Sequence, residues 1–132
     1  MPTILIIDDD PDFVDATRMV LEKEGYAVIS SPGGKDGIQK AMDQKPDLII
    51  LDVMMPGEGG PQTYCSLKAD RQLADTPVIM LSGVKKDLFL HYLKMLNAGT
   101  GGRISRPAAY FEKPVKHADL IAAIHAVLEP DP

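Results

Sequence analysis

Four places in the chain set a reactive polar side chain directly after a short strand-like run. Ile4-Leu5-Ile6-Ile7 leads into Asp8-Asp9-Asp10, and Leu48-Ile49-Ile50-Leu51 into Asp52. Pro77-Val78-Ile79-Met80-Leu81 leads into Ser82, and Tyr110-Phe111-Glu112 into Lys113. Brought together, Asp8, Asp9 and Asp52 would repel one another, so either a cation joins them or one keeps its proton. Mg²⁺ suits such a set: it is hard, takes carboxylate and carbonyl oxygens, retains waters and accepts phosphate as a further ligand. A carboxylate beside that ion, with an ammonium and a hydroxyl opposite, can hold a phosphoryl group, and an aspartate can itself be the nucleophile that forms an acyl phosphate. Lys113 would spread the charge on the transferring oxygens, and Ser82 would donate a hydrogen bond to one of them.

These residues meet only if the surrounding elements bring them to one place. Continuous apolar runs at 4–7, 48–51 and 77–81 read as strands covered on both faces, and 26–29 and 110–112 read as two further short strands. Between them lie helix signals. Asp10 reads as an N-cap with Pro11 at the first helical position, Phe13, Ala16 and Val20 recur at helical spacing, and Gly25 is the stop. Ile38, Ala41 and Met42 mark a short helix that ends before Pro46, and after Gly57, Gly59 and Gly60 a helix runs from about Pro61 to Ala69. Phe89, Tyr92, Leu93 and Leu96 mark the next helix, and Leu120, Ile121, Ile124, Val127 and Leu128 give the clearest amphipathic pattern. Gly99-Thr100-Gly101-Gly102 reads as an extended loop, and residues 129–132 as a frayed end or the start of a linker. Strands alternating with helices imply right-handed βαβ units and a parallel sheet with helices on both faces. Ligands bind such sheets beyond the carboxyl ends of the strands, where the four reactive segments would converge.

Composition narrows the function classes. The 132 residues make one domain, and 45% apolar residues can bury a core. The net charge of −5 gives no broad attraction for nucleic acid or an anionic membrane surface. One cysteine, Cys65, cannot form an internal disulfide and fits a reducing cytoplasm. No apolar run approaches the ~20 residues needed to cross a bilayer, and no basic signal-peptide start is present. His91, His117 and His125 show no metal-ligand grouping and read as surface or helix histidines.

Segments 4–10, 47–57, 77–83 and 111–115 together resemble, in order and approximate spacing, the motifs of the receiver domain of two-component response regulators. The resemblance covers nearly the whole chain, with residues 1–128 as the domain. It implies a flavodoxin-like (βα)5 doubly wound fold, with a five-stranded parallel sheet of order 2-1-3-4-5. It further implies that Asp52 is the phospho-acceptor, attacking a phosphohistidine of a sensor kinase or phosphotransfer protein. Asp8 and Asp9 match the acidic pair at the Mg²⁺ site, and the backbone carbonyl of Met54 would be another ligand. Ser82 matches the switch hydroxyl, Lys113 the lysine that pairs with the phosphoryl group, and the Lys113-Pro114 bond is expected to be cis. Tyr110 matches the aromatic that swings inward on activation. The resemblance also implies an output and dimer face built from the fourth helix, fifth strand and fifth helix. Through it the chain would reach a downstream target, or a homodimer would form on phosphorylation. The module would be a phospho-acceptor rather than a turnover enzyme.

Two features depart from the family pattern. Ser82 and Lys113 lie further apart than is usual, with the extra length around residues 99–107, where Arg103 and Arg106 read as solvated. Met54 and Val84 are apolar where polar side chains often guide the hydrolytic water, which predicts slow self-dephosphorylation. Two other readings compete. In one, Asp8-Asp9-Asp10 is the nucleophile motif of a haloacid-dehalogenase-type phosphatase, with Asp8 as nucleophile and Asp10 as acid. Pro11-Asp12 in place of the usual Gly-Thr/Val and the short chain count against it. In the other, the receiver works by binding alone. No room for a helix-turn-helix follows the fifth helix, so a DNA-binding regulator is not expected; in a longer natural protein an effector would lie beyond Pro132.

Overall fold

In the computed structural model, which describes residues 1–52, 60–83, 85–100 and 106–129, the predicted strands form one parallel sheet. The chain runs β1 (Thr3–Ile7), α1 (Pro11–Lys23), β2 (Ala27–Ser31), α2 (Gly34–Gln44), β3 (Leu48–Asp52), α3 (Gly60–Ala69), β4 (Val78–Ser82), α4 (Lys86–Thr100), β5 (Ala109–Glu112) and α5 (His117–Leu128). The strand order is β2-β1-β3-β4-β5, so the direction of winding reverses after β2 and leaves a crevice between β1 and β3. Registers such as Ile7↔Leu51, Asp52↔Leu81 and Ser82↔Glu112 bring the strands' carboxyl ends level.

Alternation along the strands divides the core in two. Leu5, Ile7, Ile49, Leu51, Val78 and Met80 face one layer, where they pack with Ala41, Tyr64, Leu67, Leu73 and Phe89. Ile4, Ile6, Leu48, Ile50, Ile79 and Leu81 face the other, with Val14, Leu21, Leu120 and Ile124. This double cover explains why the central strands read as unbroken apolar runs: neither face is left to water. Close approach of α2 to β1 depends on Gly37, where an added Cβ would lie 2.6 Å from Cδ1 of Ile7.

Helix signals were legible to different degrees. Asp10 caps α1, its carboxylate accepting the N–H groups of Asp12 (3.0 Å) and Phe13 (3.4 Å), with Pro11 following as expected. The buried stripe of α1 is Val14, Thr17 and Leu21, however, while Phe13 and Val20 are half-buried and Ala16 is exposed. Thr17 conceals this stripe in an apolar-pattern reading, because it is polar yet fully buried. The expected loop at 99–102 is corrected in part: α4 continues through Gly99 and Thr100. Glycine costs a helix about 1 kcal/mol in its interior and less at its last turn, where the carbonyls lack helical partners anyway. Phe89 is buried as its spacing suggested. The side chains of Tyr92, Leu93 and Leu96, and residues Met54, Gly57, Gly59, Val84 and Arg103, lie outside those described.

The β2 edge of the sheet is occupied by side chains. Arg18 of α1 donates to the Val28 carbonyl (3.0 Å) and the Ser30 hydroxyl (2.9 Å), and Lys40 of α2 donates to the Ser30 carbonyl (2.6 Å). Among the described residues no helix is long and apolar enough to cross a membrane.

The histidine at position 125 is not a bystander on the surface. It sits in a latch that joins the last turn of α5 to the end of α1 and the start of β2. Its Nδ1 lies 2.5 Å from Oε2 of Glu129 and 2.8 Å from the buried Tyr26 hydroxyl, and its Nε2 faces Glu24 at 3.5 Å. Tyr26 donates to the same Glu129 oxygen (3.2 Å). Burial and then Glu129 push the Tyr26 phenol up to about 12. Glu129 raises the His125 imidazole above its ordinary 6.5, and His125 holds Glu129 below 4.5. A raised histidine contributes stability that is complete below 6.5 and lost as pH rises through the folded-state value. A lowered glutamate contributes above 4.5 and loses its contribution as pH falls through the folded-state value. The stability advantage of wild type over His125→Gln should therefore be greatest between those two ordinary values and shrink on either side. Thermal unfolding of both proteins across pH checks this, and an advantage that grows as pH rises above 6.5 would contradict it.

Candidate functional site

Every reactive residue within the described segments lies at the carboxyl edge of the sheet. Asp8 follows β1, Asp52 and Ser82 are the last residues of β3 and β4, and Lys113 follows β5. The positions follow from strand length: each apolar run ends at the edge, and the next residue turns out into the crevice. Carboxylate oxygens of Asp8, Asp9 and Asp52 all lie within 4.8 Å of one another; Asp8 and Asp52 are buried and Asp9 is exposed.

The two buried acids are held differently. One oxygen of Asp8 accepts the backbone N–H of Asp10 (2.9 Å), and the other faces Nζ of Lys113 at 3.2 Å. Asp52 Oδ2 lies 3.4 Å from the same ammonium. Burial raises the Asp8 carboxyl above its usual range, and the Asp52 charge adds to the rise against the opposing Asp10 N–H and Lys113. Burial pulls Lys113 down, but the charges of Asp8 and Asp52 outweigh it and hold the ammonium above its ordinary value. Among the described residues, three acids against the Lys113 ammonium leave an excess of negative charge here. Hard, crowded oxygens, one of them on an acid reluctant to ionise, are the donor set that Mg²⁺ fits.

Ser82 and Tyr110 form the neighbouring part of the site. The Ser82 carbonyl accepts the Lys113 N–H at 2.7 Å, which ties the lysine's backbone to β4, and the Lys113-Pro114 peptide is cis. The Ser82 hydroxyl is fully buried and hydrogen-bonds the Tyr110 phenol. Burial pushes that phenol up, Ser82 pulls the other way, and Glu112 adds to the rise. Tyr110 stacks on Phe89 (5.2 Å between centroids), which meets Tyr64 edge-on at 6.3 Å. Glu112, between Tyr110 and Lys113, accepts the Lys86 N–H (3.1 Å) at the start of α4, so β5 also anchors that helix.

Thus Asp8, Asp9, Asp52 and Lys113 meet in one cluster, with Ser82 and Tyr110 linked beside it, while Met54 lies outside the described residues. Sequence reasoning missed Phe13, whose ring lies under the Lys113 ammonium at 5.0 Å. Its spacing from Ala16 and Val20 suggested only a packed helix face, and nothing local pointed to a lysine 100 residues away.

Comparison with known proteins follows the same lines. The family model of the response regulator receiver domain matches residues 4–125. Protein PilH of Pseudomonas aeruginosa is 33% identical over 97% of this chain and 98% of its own length. The transcriptional regulatory protein CpxR of Escherichia coli is 36% identical over 97% of this chain, which spans only 50% of that protein. Among solved structures, a CheY-like receiver domain protein from Methanospirillum hungatei is 29% identical with a TM-score of 0.77, covering 94% of this chain and 90% of its own. Vibrio cholerae chemotaxis protein CheY4, 24% identical, shares the fold with a TM-score of 0.79, over 97% of this chain and 99% of its own.

Proposed function

The chain belongs to the response regulator receiver domain family, and we propose that within it Asp52 accepts a phosphoryl group from the phosphohistidine of a sensor kinase or phosphotransfer protein. The single observation that carries this reading is the shared ammonium: Lys113 lies 3.2 Å from Asp8 and 3.4 Å from Asp52 in a crevice that also holds Asp9. In the transfer, an Asp52 oxygen bonds to phosphorus as the donor's P–N bond breaks, and the electron pair leaves with the imidazole. Lys113 turns from the carboxylates to the transferring oxygens, and the Ser82 hydroxyl gives up Tyr110 to donate to one of them. Asp8, Asp9, Asp52 and the Met54 carbonyl would hold Mg²⁺, whose charge neutralises the phosphoryl oxygens as they approach three acids.

This geometry supports a switch rather than a turnover site. When Ser82 leaves Tyr110, the ring that stacks on Phe89 loses its polar tether, and β5 and α4 form the face that responds. That face, with α5, is the proposed surface for a downstream protein, for an effector in a longer natural chain, or for a homodimer formed on phosphorylation. Residues 1–128 would be the receiver and 129–132 a tail or linker, in the cytoplasm where such kinases expose their phosphohistidine. Nucleic acid and membrane are not proposed partners of this acidic domain. The apolar Met54 and Val84 leave the hydrolytic water without a guide, and the phosphorylated state should be long-lived.

Incubation with acetyl phosphate and Mg²⁺, followed by peptide mass spectrometry, tests the reading. One Mg²⁺-dependent label at Asp52 is the expected result, and its decay rate tests the lifetime. A label at Asp8 with steady phosphate release would replace the switch by a phosphohydrolase, and no label on folded, Mg²⁺-binding protein would leave a receiver that acts by binding alone.

A further inference from the structure

The Lys113 ammonium has two carboxylate partners, but the stem behind it is free to swing. That stem is flexible, the ammonium is strongly hydrated in water, and more than a quarter of the side chain (29%) remains exposed. Both acids hold its ammonium, at 3.2 and 3.4 Å. The ammonium also lies over the Phe13 ring, 5.0 Å from its centroid, within the range where the negative face of an aromatic ring attracts a cation.

Phe13 is itself braced. Its N–H is taken by the Asp10 carboxylate (3.4 Å), and its ring tilts against the His117 imidazole with centroids 6.5 Å apart. His117 Nε2 lies 3.3 Å from the hydroxyl of the fully buried Thr17. Phe13, Asp10, Ala16, Lys113, Pro114 and His117 line a cavity of about 440 Å³ that opens to solvent beside the acidic crevice. Asp10 is exposed and lies on that same cavity wall. Without the ring, the ammonium gains a hydrated space into which it can turn.

We propose that Phe13 is a positioning residue for phosphoryl transfer: its ring keeps the Lys113 ammonium turned toward Asp8 and Asp52, where it can meet the incoming phosphoryl oxygens. The inference rests on the reading of Asp52 as acceptor and adds a residue to that site. Phe13 would act through Lys113 and not on the donor, so its effect should fall on the maximal rate and not on the donor concentration at half-saturation.

The experiment measures acetyl phosphate labelling rates for wild type, Phe13→Leu, Phe13→Met and Phe13→Tyr, with Mg²⁺ affinity and thermal unfolding measured alongside. Phe13→Leu and Phe13→Met keep apolar bulk and lose the ring, and each should lower the maximal rate about fivefold, the factor equivalent to ~1 kcal/mol of cation–π attraction. Phe13→Tyr keeps the ring and should stay within about twofold of wild type. Leucine or methionine variants that label like wild type would overturn the proposal. So would a tyrosine variant as slow as the leucine one, because packing alone would then explain the loss. A loss of Mg²⁺ affinity large enough to account for the slower labelling would also overturn the proposal. A wild-type protein that takes no label would overturn the acceptor reading first, and the inference with it.

Discussion

Asp52→Asn is expected to abolish phosphoryl labelling outright while leaving the fold intact. Asn has the shape of Asp but no anionic oxygen to attack phosphorus, and no neighbour replaces it. Asp8 is committed to the Asp10 N–H and Lys113, and Asp9 lies exposed at the rim. The substitution also removes one of the charges that push the Asp8 carboxyl up, so the metal-free variant should unfold no earlier than wild type. The clearest sign lies in its response to Mg²⁺. A ligand that binds only the folded state stabilises it by about 2.7 kcal/mol at a hundred times its dissociation constant. Most of that gain should disappear with the Asp52 charge. Thermal unfolding with and without Mg²⁺, beside the labelling assay, reads both effects. A residual label elsewhere at the wild-type rate would remove Asp52 from the centre of the mechanism.

Lys113→Met should slow labelling by about a hundredfold, the usual loss when a preorganised donor to a developing negative charge is removed. Methionine keeps the stem's apolar contacts, so the change is mainly one of charge. Asp8 should then become still harder to ionise, because the ammonium that opposes its burial is gone. The two effects separate in a pH series. Transfer should be slow at every pH, while Mg²⁺ binding, which needs the ionised acids, should shift toward higher pH. Equal labelling rates for wild type and Lys113→Met would show that the ammonium only balances charge in the resting protein.

Much of this site was legible before any coordinates because it depends on where strands stop. A parallel strand buried on both faces must be apolar throughout, so its last residue stands out, and Asp52 and Ser82 mark strand ends directly. Asp8 and Lys113 lie one residue past such ends, and the β2-β1-β3-β4-β5 order makes neighbours of ends that are distant in sequence. What escaped was set by contacts between helices. Thr17 is polar and fully buried, so the inner stripe of α1 looked displaced toward Phe13. His125 and Glu129 stand four residues apart in a pattern that can be read, but Tyr26, which completes their latch, comes from the far end of the chain. Phe13 under Lys113 belongs to the same class: one side chain from α1 meets another that follows β5, and no local period records the meeting.

The guarding of β2 bears on how the protein behaves when crowded. A bare outer strand is a template on which a second molecule can extend the sheet, and repeated addition leads to polymers. Here such growth at β2 would first have to break the bonds from Arg18 and Lys40 to the carbonyls of Val28 and Ser30. Both cations would also have to find new partners as water left the joint. High concentration alone should therefore not drive filament formation through this side, and the sheet's remaining border is β5, which lies on the face proposed to respond to phosphorylation.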